Sequence, residues 1–245
     1  MVRIDCHAGD SRSSRSNGRA HFFTTGDHAY LQGTEAQFRE CYDPAWGRLR
    51  GRTRPSPGNH DYETPGALPY YSYFGANAGP AGLGYYSYDL GNWHIVSLNS
   101  ITASGAQVRW LRQDLASVTA RCTLAYWHDP VFSSGPNGPQ AQMREVWRIL
   151  YGAGADVVVN GDDHLYERFA PQDPDGRPDP PGIRQFTVGT GGAPLHSFQA
   201  IQPNSQVRTS THGVLKLTLK ADSYEWEFIP ILSGSFRDSG AGECH

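Results

Sequence analysis

Three times in this chain a β-prone or apolar run stops abruptly on Asp, His or Tyr. The run His21-Phe22-Phe23-Thr24-Thr25 ends on Gly26-Asp27-His28-Ala29-Tyr30, Thr123 to Trp127 ends on His128, and Ala155 to Asn160 ends on Gly161-Asp162-Asp163-His164. A fourth motif, Gly58-Asn59-His60-Asp61-Tyr62, closes a polar, proline-rich run that begins at Arg54. Between these runs lie helical patterns: Thr34 to Tyr42 with Thr34 as N-cap, Gly105 to Val118 with Val108, Leu111, Leu115 and Val118 on one face, and Gln140 to Tyr151. Strands that alternate with helices require a partly parallel sheet, and such sheets bind ligands outside the carboxyl ends of their strands. The polar motifs fall there.

The remainder sorts into weaker patterns. Val2, Ile4, Cys6 and Ala8 alternate like a short strand, but Ser11 to Arg19 is a Ser/Arg-rich run with nothing to pack, so residues 1–20 are expected to be poorly ordered or altered and residues 21–245 to form one domain. Residues 63–84 show no helical or strand period and read as a long loop which, with residues 171–184, would shape a pocket. Tyr85 to Asp89 and Trp93 to Asn99 read as paired strands. Gln185 to Val188, Val214 to Lys220 and Tyr224 to Pro230 alternate with period two, the pattern of antiparallel strands closing a second sheet.

Charge and length exclude several classes. A net charge of -3 with no long basic run lacks the electrostatic footprint of a nucleic-acid binder. No apolar stretch approaches the roughly 18 residues that would span a bilayer. Cys6, Cys41, Cys122 and Cys244 contain no Cys-x-x-Cys pair, which argues against a structural zinc site and permits two disulfides in any of three connectivities, with at least one expected in an oxidising compartment. Few Lys with many Gly and Tyr suit an exported protein, and no signal peptide is present in Met1 to Asp10. Oligomeric state has no readable signal.

A pair of hard cations requires oxygen and imidazole ligands from several loops and one carboxylate able to bridge. Asp27, Tyr30, Asn59, His128, Asp162 and His164 supply that set. Two such cations about 3.5 to 4 Å apart can clamp a phosphate and lower the pKa of a bound water toward about 7. His60, beside a candidate ligand, is placed to contact the phosphate or protonate a leaving alkoxide. His21, His94, His196 and His212 lie outside the motifs and read as structural, and Asp129 and Asp163 as supporting or solvent-facing.

The ordered series Gly26 to Tyr30 (G-D-x-x-Y), Gly58 to Asp61 (G-N-H-D), Trp127 to Pro130 (W-H-x-P) and Gly161 to Arg168 (G-x-x-H-x-Y-E-R) resembles the calcineurin-like metallophosphoesterases, in particular the purple acid phosphatase branch. The resemblance runs from about Phe22 to the C-terminus. It implies an α/β fold, a four-layer α/β/β/α sandwich of two mixed sheets. It also implies a dinuclear centre in which Asp27 bridges, Tyr30 and His164 hold Fe(III), and Asn59 and His128 hold Zn, Mn or Fe(II), with a small phosphorylated substrate attacked by a metal-bound hydroxide. Two departures stand out. The family's first motif, an Asp after a Gly, has only Gly9-Asp10 to supply it, and Asp162 stands where the family has His. These departures set up an alternative, a weakened member that binds phosphorylated ligands through an incomplete metal site.

Overall fold

The structure, a computed structural model, describes residues 1–6, 20–231 and 236–245. Its strands in chain order are β1 (Val2–Cys6), β2 (His21–Thr25), β3 (Thr53–Ser56), β4 (Tyr86–Leu90), β5 (Trp93–Ser97), β6 (Cys122–Tyr126) and β7 (Val157–Asn160). They continue with β8 (Tyr166–Phe169), β9 (Arg184–Val188), β10 (Ser205–Thr209), β11 (Gly213–Leu219), β12 (Ser223–Pro230) and β13 (Asp238–Glu243). Two mixed sheets result, a six-stranded one in the order β13-β12-β11-β1-β2-β3 and a seven-stranded one in the order β10-β8-β9-β7-β6-β5-β4. This is the α/β architecture of two mixed sheets anticipated above. Their inner faces meet in one apolar core that includes Val2, Ile4 and Phe23 from one sheet and Ile95, Leu124 and Val159 from the other. The outer face of the seven-stranded sheet packs on the helices at Gly105–Ala116 and Arg144–Gly152, through Leu111, Trp147 and Leu150.

Several sequence expectations need correction. Val2 and Ile4 are fully buried and β1 lies inside the six-stranded sheet, so the boundary drawn at residue 21 cuts off a strand whose alternation is genuine. Ser11 to Arg19 and Asp10 lie outside the described residues. Residues 63–84 are not a structureless loop: α1 (Leu68–Phe74) runs through them, begun by Pro69 in its first turn, because Tyr70 and Phe74 are four residues apart and both are buried against the ring of His28. The polar run before Gly58 likewise contains β3, parallel to β2. Gln185 to Val188 does not join the six-stranded sheet; as part of β9 it pairs parallel with β7 in the other one. Thr34 does cap its helix, in a capping box with Gln37, and the helical run continues in successive segments to residue 52.

Strand direction decides what reaches the site. β2 and β3 are parallel, as are β5, β6, β7 and β9, and the carboxyl ends of β2, β3, β6 and β7 carry the four motifs. β1 runs the other way, antiparallel to β2 with Ile4 opposite His21. Its carboxyl end therefore lies at the edge of the sheet remote from Asp27.

Cys122 and Cys244 form a disulfide with Cα atoms 5.4 Å apart, tying β6 to the chain end beyond β13, while Cys41 is a free, exposed thiol.

Candidate metal centre

The turn after β2 is built for close approach. Gly26 has φ 94° and Asp27 φ 57°, both left-handed, a conformation that costs a non-glycine residue but that Asp tolerates best with Asn. A Cβ on Gly26 would meet the His128 ring, from the other sheet, and one on Gly58 would lie on the Asp27 carboxylate, from the neighbouring strand of the same sheet, so both glycines are required for these turns to touch.

Asp27 is held by the backbone at one oxygen and meets only side chains at the other. The backbone N–H of His60, in the single helical turn Asn59–Tyr62, donates to Asp27 Oδ1 at 2.9 Å. Asp27 Oδ2 is left 3.2 Å from the Tyr30 hydroxyl, 3.4 Å from His128 Nε2 and 3.9 Å from His60 Nε2. On one side of it Tyr30 Oη lies 3.2 Å from His164 Nε2. On the other, His128 Nε2 lies 3.0 Å from Asn59 Oδ1 and 3.6 Å from Asp162 Oδ1.

Three imidazoles share one device. Each turns Nδ1 toward a backbone carbonyl: His128 to Thr25 at 2.6 Å, His164 to Pro194 at 2.8 Å and His60 to Leu31 at 2.5 Å. A donated Nδ1–H fixes the tautomer that leaves Nε2 as a lone-pair donor, the arrangement that orients imidazole ligands toward a cation.

The electrostatics describe a site that holds protons where a cation would sit. Burial opposes ionisation of Asp27, but His128 and then His60 outweigh it and hold the carboxyl well below its usual range. Burial likewise opposes a charged His128, yet Asp27 and Asp162 push it up to about 10. Burial, opposed by His128 and reinforced by Asp129, Asp163 and Asp27, raises Asp162 to about 6. Burial and Asp27 raise Tyr30 far above a phenol's ordinary value, so only a nearby positive charge would ionise it.

The donors fit such charges. Hard oxygens and imidazoles spaced 3.0 to 3.6 Å apart match the edges of a coordination polyhedron with bonds of about 2.0 to 2.2 Å. A cavity of about 510 Å³ opens beside them, lined by Asp27, Tyr30, His128, Asp162 and His164 on one side and by Tyr42 and Trp46 on the other. Asn59 is exposed and His60 half-buried.

The structure thus brings together Asp27, Tyr30, Asn59, His60, His128, Asp162 and His164, and Asp10 lies outside the described residues. It also shows what supports them. Asn137 donates its amide to Asp162 Oδ1 at 2.9 Å. His196, read as structural, stacks on His164 with ring centroids 4.1 Å apart and accepts the His164 backbone N–H. Asp163 is fully buried rather than solvent-facing, bonded by Ser133 and by the Asn137 backbone, and Asp129 is buried with Gln142 on its carboxylate.

The sequence profile of the calcineurin-like phosphoesterases matches residues 7–166. The chain belongs to this family. Among relatives, purple acid phosphatase 21 of Arabidopsis thaliana is 30% identical over 222 residues, 77% of this chain and 50% of that protein. Purple acid phosphatase 22 of the same plant is 28% identical over 232 residues, 81% and 53%. The chain spans about half the length of these curated relatives. A purple acid phosphatase from yellow lupin seeds superposes with a TM-score of 0.78 at 18% identity, covering 99% of this chain and 53% of that one. The anchor in the inner membrane complex of Plasmodium gives 0.72 at 13%, covering 100% and 89%. Both likenesses are likenesses of fold. Among the described residues no helix is long and apolar enough to cross a membrane.

Proposed function

We propose that this calcineurin-like phosphoesterase hydrolyses small phosphomonoesters with two cations that share Asp27. The first would be held by Asp27, Tyr30 and His164, with Fe(III) matching the phenolate, and the second by Asp27, Asn59, His128 and Asp162, with Zn, Mn or Fe(II). When bound, the cations would neutralise the phosphate and supply a nucleophile by lowering the pKa of a water. His60, its Nδ1 turned to the Leu31 carbonyl, would meet the reacting phosphate through Nε2 and protonate the leaving alkoxide. The observation that carries this reading is the convergence on Asp27 Oδ2 of donors whose other atoms are already engaged. Exported material is the natural setting, given the disulfide.

Two observations favour the second reading, a weakened member that binds phosphorylated ligands. Asp162 puts a carboxylate among other carboxylates where the resemblance implies an imidazole. β1 also points its carboxyl end away from the site: by its register with β2, Cys6 lies about eight strand positions, or about 26 Å, from the level of Asp27.

Elemental analysis and hydrolysis of a chromogenic phosphomonoester separate the readings. Two metals per chain with metal-dependent turnover supports the first. One metal without turnover supports the second, and no metal refutes both.

A further inference from the structure

We infer that His28, acting through Asp61, is a positioning residue that sets Asp27 and Asn59 against each other and so tunes cation affinity at the position they share with His128; this rests on the function proposed above. The Asp61 carboxylate is fully buried and cross-links the two turns. Its Oδ2 accepts the backbone N–H of Gly58 at 2.9 Å, from the turn after β3, and that of Asp27 at 3.1 Å, from the turn after β2. Its Oδ1 accepts the backbone N–H of His28 at 3.3 Å. The fourth partner is the His28 ring, with Nδ1 2.9 Å from Asp61 Oδ2.

That ring has one neutral form that satisfies its surroundings. A carboxylate requires a hydrogen on Nδ1, which leaves Nε2 to accept the hydroxyl hydrogen of Thr24, 2.6 Å away on β2. The imidazole is itself gripped by aromatic rings, Phe74 at 4.8 Å, Tyr70 at 5.3 Å and Tyr42 at 5.5 Å between centroids. These rings belong to an apolar cluster of their own, built from residues 29–78. His28 is therefore where the aromatic cluster meets the two ligand-bearing turns. Loss of its N–H would leave a buried carboxylate one donor short and held by its three backbone donors alone, and any shift of Asp61 that follows moves Asp27 relative to Asn59. A histidine that merely filled space would be replaceable by a leucine at a cost in stability alone.

The test is calorimetric titration of Zn²⁺ and of Mn²⁺ into the metal-free wild type, His28→Leu and His28→Asn, with thermal unfolding of each metal-free protein alongside. His28→Leu keeps apolar volume and is expected to fold with a cation affinity about 10- to 100-fold weaker, the usual scale for losing a partner that orients ligands. His28→Asn places an amide N–H where Nδ1–H was and is expected to recover most of the loss. If His28→Leu does not fold, Thr24→Val, which removes only the Nε2 contact, is expected to weaken affinity in the same direction. Unchanged affinity in the folded variant, or an Asn variant no better than the Leu one, overturns the inference. A wild type that binds cations yet hydrolyses nothing overturns the function reading alone, and one that binds neither cation overturns both.

Discussion

Replacing Asp162 by His should turn the second cation position from one that suits manganese into one that suits zinc. Asp162 has φ 59°, and His is, with Asp and Asn, a residue that enters the left-handed region with least strain, so the backbone accepts the change. The carboxylate removed lies 3.6 Å from His128 Nε2; its burial, reinforced by Asp129, Asp163 and Asp27 and opposed by His128, makes it resist ionisation until about pH 6. A unit negative charge about 5 Å from a bound phosphate costs about 3 kcal/mol at an effective dielectric of about 20. The same charge attracts the cation, so part of that repulsion is returned. A net gain of about 1.4 to 2.7 kcal/mol corresponds to one to two orders of magnitude. Imidazole also suits zinc where carboxylate suits manganese, so the zinc-to-manganese affinity ratio should rise by a similar factor. Both proteins would be assayed side by side on a chromogenic phosphomonoester with zinc, manganese and iron supplied separately. If the His variant gains with no metal, the argument from Asp162 is refuted and the defect lies at the first position, where β1 points the wrong way.

Asn59→Ala should lower cation affinity by about 10- to 100-fold, while His60→Ala should leave the metal bound and cut turnover by about 10²- to 10⁴-fold; metal content measured next to kcat separates the two, and an Asn59 variant with full occupancy would sink its assignment as a ligand. The Cys122–Cys244 disulfide closes a separation of 122 residues, so the double Ser variant should lose about 4 to 5 kcal/mol in the chain-entropy account, read from urea unfolding, and a loss under about 1 kcal/mol would contradict it. His94 is buried, which disfavours its charged form, but hydrogen bonds to Asp114 and Asp89, both 2.8 Å away, outweigh burial and raise its pKa. Its stabilisation is then complete below the unfolded value of about 6.5 and is lost as pH rises through the raised folded value. The Tm gap between wild type and His94→Gln should be wider at pH 5.5 than at pH 9, and an equal gap at both would be the wrong result.

What the sequence made legible was the placement of chemistry at strand ends. Gly26-Asp27, Gly161-Asp162 and His128 each follow a run of β-prone residues, and a buried parallel strand can deliver such residues only to its carboxyl edge. What it hid has separate physical causes. The alternation of Val2 and Ile4 announces a strand but carries no direction, since period two looks the same whichever way the strand runs, and direction is what takes the carboxyl end of β1 away from the site. The helix at Leu68–Phe74 was masked by its flanks of Pro and Gly, although Tyr70 and Phe74 already had helical spacing. The carbonyl partners of His128, His164 and His60 come from residues 103, 30 and 29 positions away, and a backbone oxygen leaves no trace in composition.

His28 shows why motif reading stopped short of the arrangement around Asp27. In Gly26-Asp27-His28-Ala29-Tyr30 the residues with an evident task are Asp27 and Tyr30, whose side chains face the cavity. His28 also lines that cavity, yet both its ring nitrogens are spent on Thr24 and Asp61. The difference arises from the left-handed turn at Asp27, which breaks the strand's alternation and sends consecutive side chains to opposite tasks. A cation needs donors whose lone pairs are free, and the structure frees them by occupying every other polar atom nearby: Asp27 Oδ1 with the His60 N–H, the imidazole Nδ1 atoms with carbonyls, and Asp61 with three backbone N–H groups. The catalytic promise of this chain therefore depends as much on which atoms are already bonded as on which residues are present.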